Sequence, residues 1–363
     1  MRIEAVRLYR YSLPLVRPIA FGSEALSTRD GVILSVTDDA GQSGLGECAP
    51  LPGYSSESLV ASMIALRALA DRVQDKRLSS DKALEQAQEV AAGLDVPSSA
   101  MFALESALLM LSARHPGKTV ASLLSSRHSD TVEINALIES DDQLEARVAE
   151  VIAKGARAVK LKVGRQAVAD DIALARRIRQ LLPRSIRLRL DANRAWSLAD
   201  AVVFADGVFQ GDIEYIEEPV RDSAQLAELN NRAPQVPLAI DESVRFWSLE
   251  QIRSAGYLKA VVLKPTVIGG IGRTVLLARA CRESGKTPVI SSSIESSIGL
   301  SMLAHLSAAL TPDTPSGLDT ARLLADDLVT PRFPSGMFRI NLGELNGSHE
   351  TINHPLLEET PLE

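Results

Sequence analysis

The chain has 363 residues and a formal net charge of −7, from 39 Lys and Arg against 46 Asp and Glu. That balance argues against nucleic acid or an anionic membrane as the main partner, because both are bound through clustered basic side chains. With 45% hydrophobic and 23% charged residues and no low-complexity tract, the chain is expected to fold throughout, the extreme C-terminus apart.

Its length exceeds the ~100 to 200 residues of one domain, so two domains or one barrel with an appendage are expected. The opening "MRIEAVRLYRYSLPL" has no signal-peptide core, and no apolar run reaches about 18 residues, which predicts a cytoplasmic protein with no membrane partner. Cys48 and Cys281 form no CxxC pair and have no histidine at zinc-ligand spacing; buried free thiols are expected.

The first ~50 residues read as strands, "RIEAVRLYRYSL", "GVILSVTDD" and "SGLGECA", with the turn "DDAGQSG" joining the last two into a hairpin. Helical spacing of apolar residues follows over ~55–72, ~80–92 and ~98–113, the last opening after Pro97 with Ser98 or Ser99 available as a cap. From ~131 the pattern changes to short apolar runs at intervals of ~20 to 30 residues, the length of a βα unit: "VEINALI", "ARAVKLKVG", "IRLRLDAN", "IEYIEEP", "VPLAIDES", "LKAVVLKP", "TPVISSS" and "SGLDT". No GxGxxG turn follows the first of them, so an eight-stranded parallel barrel is preferred over an open doubly wound sheet. The fold class is therefore α/β, a (β/α) barrel with an N-terminal α+β block. "FRINLGE" near the C-terminus reads as a strand returning to that block.

Successive runs end in ionisable residues: Lys160 and Lys162, Asp191, Glu217 and Glu218, Asp241 and Glu242, then Lys264. A parallel barrel gathers its C-terminal strand ends around one mouth, so these groups should face one another. One carboxylate from each of three consecutive strands suits a hard divalent cation such as magnesium better than zinc. Alternation allows only one of Glu217 and Glu218 to point inward. A lysine acts as a base only when neutral, and a neighbouring cation or exclusion of water lowers its pKa; Lys160 beside Lys162 supplies that setting. After the seventh strand, "VISSSIESSIGL" opens a helix whose free N–H groups could hold a substrate carboxylate, with plain N-capping as the competing reading.

"VKLKVG", "LRLDANRAWS", "YIEEP", "IDES" and "LKPT" resemble the barrel motifs of the enolase superfamily. "VISSSIESSIGL" with "LTPDTPSGLDT" resembles the signature of its proteobacterial o-succinylbenzoate synthase family, of menaquinone biosynthesis, and "TRDG" and "PLPGYS" are similar to its capping-domain loops. The resemblance implies an N-terminal capping domain of residues 1–120, rejoined by the tail 330–363, over a catalytic barrel of residues 121–329. It implies Asp191, Glu217 and Asp241 as ligands of Mg2+ (with Mn2+ as a substitute), Lys162 as the base and Lys264 as the opposite lysine. Lys160, Arg189, Ser291, Ser292, Ser293 and Gly317 would contact a small-molecule carboxylate substrate.

The implied reaction is dehydration of 2-succinyl-6-hydroxy-2,4-cyclohexadiene-1-carboxylate to 2-succinylbenzoate by a hydro-lyase. N-succinylamino acid racemase, dipeptide epimerase and muconate cycloisomerase are sister activities for the same site. The single Asp319 in "GLDT" weakens the dipeptide reading. A Schiff-base aldolase barrel is the rival of another class, and a non-catalytic scaffold is the third reading. Oligomeric state is not legible in the sequence.

Overall fold

The hairpin turn near the N-terminus is held by one carboxylate: Asp38 Oδ1 accepts from the backbone N–H of Ala40 (3.0 Å) and Gln42 (2.9 Å), and Gly41 takes a positive φ of 74°. The computed structural model describes residues 1–21, 24–139, 143–208, 212–345 and 354–361. The turn joins β2 (Glu24–Asp38) to β3 (Ser43–Cys48), and β2 also pairs antiparallel with β1 (Ile3–Phe21). The β1–β2 register shifts between Pro14 and Ile19, where β1 bends; there Pro14 O accepts from Ala325 N at 2.8 Å, and Leu15 bridges Leu324.

Four helices follow: α1 (Leu59–Val73), α2 (Ala83–Ala91), α3 (Ser98–Arg114) and α4 (Val120–Leu124). Helix α3 is buried from Ser99 to Ala113 apart from the half-buried Met101, and it lies directly on β3. Glycine in β3 permits this approach, since a Cβ on Gly46 would stand 1.8 Å from Ala103 O. The cap of α3 differs from expectation. Pro97 is the N-cap, and Glu57 Oε1 accepts from Ser99 N at 3.0 Å, a carboxylate meeting the positive end of the helix dipole.

The barrel begins with "VEINALI", which divides into β4 (Thr131–Glu133) and β5 (Ala136–Ile138). It continues through α5 (Leu144–Ala153), β6 (Ala158–Lys162), α6 (Val168–Leu181), β7 (Arg187–Asp191), α7 (Leu198–Val208), β8 (Tyr215–Glu217) and α8 (Leu226–Arg232). β9 (Leu238–Ile240), α9 (Leu249–Ser254), β10 (Leu258–Leu263), α10 (Pro265–Ile268), α11 (Gly270–Glu283), β11 (Thr287–Ile290) and α12 (Ser297–Leu310) complete it. Strands β5 to β11 form one parallel sheet in sequential order.

The eighth run, "SGLDT", contributes a two-residue bridge in place of a full strand. Ser316 bridges Ile134 and Gly317 bridges Ser291, closing the sheet on itself through Asn135 N to Ser316 O and Gly317 N to Ile290 O, both 2.9 Å. Pro315 lacks an N–H and Gly317 favours extended pairing weakly, which explains the short segment.

The tail comprises β12 (Arg339–Asn341), α13 (Leu342–Leu345) and β13 (Glu358–Thr360). The strand in "FRINLGE" does not return to the N-terminal sheet. β12 pairs with β4, placing Ile340 opposite Val132, whereas β13 supplies the strand that joins β1. Glu105 of α3 links the N-terminal block to the barrel by accepting from the backbone N–H groups of Ile271 and Gly272 at the start of α11.

Candidate active site

Strand register puts the chemistry in layers. Lys162 is paired with Asp191 and Asp191 with Glu217, while Lys160 lies one layer below, opposite Arg189. Val159, Leu161 and Val163 are buried on the other face, so alternation directs both lysines inward. Lys160 Nζ reaches up to Asp191 Oδ2 (2.8 Å) and Glu217 Oε1 (2.7 Å). Lys264, at the end of β10, donates to Asp241 Oδ2 (2.6 Å) and to Tyr54 Oη (2.8 Å).

The alternation at "IEEP" resolves in favour of Glu217. Glu218 turns away with φ 43° and accepts from Asp241 N (2.8 Å), Ser243 N (2.7 Å) and Ser243 Oγ (2.9 Å). It braces the loop that carries Asp241.

Above these groups is a cavity of about 830 Å³, lined from the barrel by Lys160, Lys162, Asp191 and Lys264 and from the N-terminal block by Arg17 and Tyr54. Ser291, Ser292, Ser293 and Gly317 also reach its wall. Glu217 and Asp241 lie just beneath it, almost fully buried.

The two lysines proposed for chemistry have opposite electrostatics. Burial pushes the Lys162 ammonium below its usual value; Asp191 opposes that, and the charges of Lys160, Lys264 and Arg165 add to it. Burial also disfavours charge on Lys264, yet Asp241 and Glu242 outweigh it and raise its pKa. Lys160 is likewise held charged against burial, by Asp191, Glu217 and Asp241. Burial and its two carboxylate neighbours push Glu217 up, against the pull of Lys160.

Among the described residues no three His, Cys, Asp or Glu side chains converge tightly enough to form a metal-binding group as they stand. Two ammonium groups, of Lys160 and Lys264, lie among the three carboxylates and offset part of their charge. The donor set nevertheless fits a hard divalent cation. Three carboxylates come from adjacent strands, and Glu217 Oε2 is buried with no hydrogen-bond partner.

Two expectations are corrected. Arg189 does not reach the cavity. It is fully buried in the barrel interior, bonded to Glu214 Oε2 (2.6 Å), Asn135 Oδ1 (3.1 Å) and Pro315 O (2.7 Å), with its guanidinium 5.3 Å from the Tyr215 ring centre. It lies one layer below Asp191, opposite Lys160 and Tyr215.

Nor is the start of α12 open to a substrate carboxylate. Glu47 accepts from Ser296 N (2.9 Å), Ser296 Oγ (2.6 Å) and Gly299 N (2.8 Å), and Asp327 accepts from Ser297 N (3.0 Å). The capping reading prevails, with the caps supplied from distant parts of the chain.

Three contacts are absent from the sequence reading. Tyr54 donates to Asp241 Oδ1 at 2.8 Å, Arg29 binds the carbonyls of Pro50 (2.8 Å) and Ile294 (2.9 Å), and Asn193 Oδ1 accepts from Lys162 Nζ at 3.1 Å. The sequence marks "PLPGYS" and "TRDG" only as loops, and the structure corrects the second, which lies within β2. Asn193 stands beside Asp191 in "LDANR", but its lysine partner is 31 residues away.

This barrel, with acidic and lysine strand ends beneath a capping sheet, defines a member of the enolase superfamily: the family model "Enolase C-terminal domain-like" matches residues 143–347, and "MenC, N-terminal domain" matches residues 3–101. The chain belongs to the o-succinylbenzoate synthase family. The o-succinylbenzoate synthase of Pectobacterium atrosepticum is 33% identical over 331 residues, covering 89% of this chain and 92% of the relative. That of Klebsiella pneumoniae is 31% identical, covering 95% and 99%.

Among solved structures, the substrate-liganded L-Ala-D/L-Glu epimerase of Bacillus subtilis superposes with a TM-score of 0.81 at 25% identity, covering 94% of this chain and 96% of that one. The dipeptide epimerase of Enterococcus faecalis, complexed with Mg and L-Leu-L-Tyr, gives 0.84 at 23%, covering 94% and 98%, and speaks to the fold alone.

Proposed function

We propose that the cavity binds 2-succinyl-6-hydroxy-2,4-cyclohexadiene-1-carboxylate and that Lys162 starts its dehydration to 2-succinylbenzoate, a step of menaquinone biosynthesis. The observation that carries this reading is geometric: Lys162 and Lys264 line one cavity with Asp191, Lys264 donating to the Asp241 carboxylate and Lys162 to the Asn193 amide oxygen.

Asp191, Glu217 and Asp241 would hold a divalent cation, magnesium in our reading, which supplies positive charge beside the substrate carboxylate as negative charge grows there. Neutral Lys162 takes the proton from the carbon bearing that carboxylate. The resulting ammonium returns a proton to the ring hydroxyl, which leaves as water while its C–O bond electrons stay with oxygen, and the ring becomes aromatic. Lys264 remains an ammonium and faces the developing charge. Ser291, Ser292, Ser293 and Gly317 shape the wall against which the substrate rests. We read residues 1–120 as the capping domain and 121–329 as the barrel, with Tyr54 and Leu51 of the cap helping to exclude water from the site.

Epimerisation of an N-acylated amino acid is the second reading, because Lys162 and Lys264 both reach one cavity. The dipeptide form of that reading is the weaker one: Asp319, the sole acid in "GLDT", already accepts from Arg322 Nε at 3.2 Å.

The test is a product assay with and without EDTA. Formation of 2-succinylbenzoate that stops in EDTA and returns with magnesium supports the reading; turnover that survives EDTA and is trapped by borohydride assigns a Schiff-base lysine instead.

A further inference from the structure

Lys162 Nζ donates to Asn193 Oδ1 at 3.1 Å, and Asn193 Nδ2 donates to Glu242 Oε1 at 3.2 Å. A single file of hydrogen bonds thus crosses from the strand of the base to the loop after β9. Asn193 is held in its turn independently of that chain. It occupies the left-handed region (φ 44°), which Asn tolerates better than most residues, and its backbone N–H meets Asp191 Oδ1 at 3.1 Å.

The Asn193 amide is thus oriented with its nitrogen toward Glu242 Oε1 and its oxygen toward Lys162 Nζ. Facing an oxygen, Lys162 can only donate there. A neutral amine that donates one N–H to Asn193 keeps its lone pair directed elsewhere, and the cavity is the open direction. The other Glu242 oxygen, Oε2, is buried without a partner, so the carboxylate is not accounted for by the loop's own hydrogen bonding.

We propose that Asn193 and Glu242, which both stand in the cavity wall, are positioning residues that aim the lone pair of Lys162 at the substrate. The inference deepens the reading of Lys162 as base and rests on it. Misplacing a reacting group by about 1 Å can cost about 100-fold in rate, which sets the size of the effect.

The experiment is a double-substitution cycle on the purified full-length chain with magnesium and the cyclohexadiene carboxylate, joined to crystallography. Asn193→Ala and Glu242→Ala are each expected to lower kcat about 30- to 100-fold with KM within about threefold. The double variant should be no slower than the worse single one, because both break one chain. Glu242→Gln keeps an acceptor oxygen and should stay within about threefold of wild type.

Effects that multiply, or a change confined to KM, overturn the proposal. Crystal structures separate this failure from failure of the functional reading. If wild type is inert toward the substrate, displacement of Lys162 Nζ in Asn193→Ala still supports the positioning role, and an unmoved Nζ sinks it.

Discussion

Lys160 Nζ lies 2.7 Å from Glu217 Oε1, with the lysine side chain only 14% exposed and the glutamate 1%. The contact sets the "KLK" pair apart: Lys160 offsets the charge of buried carboxylates, and its neighbour two residues on is the one we propose to exchange protons. The relation also has a thermodynamic consequence. Removing one partner of a buried ion pair strands the other charge and costs about 3–5 kcal/mol.

Lys160→Met is therefore expected to lower Tm markedly in EDTA. Added magnesium should restore much of the loss, since a divalent cation held by the stranded carboxylates stabilises the folded state by mass action. Thermal melts with and without metal check this. Equal melting of wild type and variant in EDTA would contradict the account of Lys160.

The same lysine should tune the base. A base works unprotonated, so kcat/KM is expected to rise with pH through the titration of Lys162, with a midpoint below the ordinary lysine value of 10.5. In Lys160→Met one of the charges that lowers this pKa is gone, and the rising limb should move to higher pH. Lys162→Ala should lose essentially all dehydration at every pH. A limb that stays in place in Lys160→Met would separate the two lysines electrostatically, contrary to the structure.

Tyr54 carries the capping side of the molecule into the chemistry. Its hydroxyl donates to Asp241 and accepts from Lys264, and the ammonium lies 4.3 Å from the ring centre. Tyr54→Phe keeps the ring and removes both hydrogen bonds. A fall of about 10- to 100-fold in kcat is expected, in line with about 1.5–3 kcal/mol for a hydrogen bond to a charged partner. Steady-state kinetics beside a melt test it, and unchanged kcat would confine Tyr54 to packing.

Much of this cluster was legible because a barrel strand is a short apolar run and an ionisable residue at its end interrupts that run. Asp191, Glu217, Asp241, Lys162 and Lys264 all stand at such interruptions. What escaped depends on contacts between distant segments. Glu47 caps α12 across 249 residues, and Tyr54 meets Asp241 across 187. Neither local period nor spacing carries that information. Arg189 was misplaced for a subtler reason. Sharing a face with Asp191 fixes a side chain's direction but not its layer, and one layer down is barrel interior. The tail shows the same limit, since "RIN" alternates correctly for a strand whichever sheet edge receives it.

Glu105 offers a test of how the N-terminal block joins the barrel. Burial raises its carboxyl from 4.5 to about 7, opposed by bonds from the N–H groups of Ile271 and Gly272. A carboxyl raised on folding adds stability that is fully present below about 4.5 and is lost as pH climbs through about 7, an effect of about 3 kcal/mol. Relative to Glu105→Gln, wild type should lose stability between pH 5 and pH 8. Urea unfolding of both at each pH measures it, and parallel pH dependence would contradict the assignment.

Lys162, beside the cation that Asp191, Glu217 and Asp241 would hold, is proposed to start dehydration of a cyclohexadiene carboxylate. The most direct test of this proposal gives the purified protein two substrates in parallel with magnesium: 2-succinyl-6-hydroxy-2,4-cyclohexadiene-1-carboxylate, followed by formation of 2-succinylbenzoate, and an N-succinyl amino acid in deuterium oxide, followed by exchange at its α-carbon. The account predicts rapid dehydration that Lys162→Ala abolishes, faster than any exchange. Rapid exchange with no dehydration would contradict it and make the chain a racemase built on the same lysines.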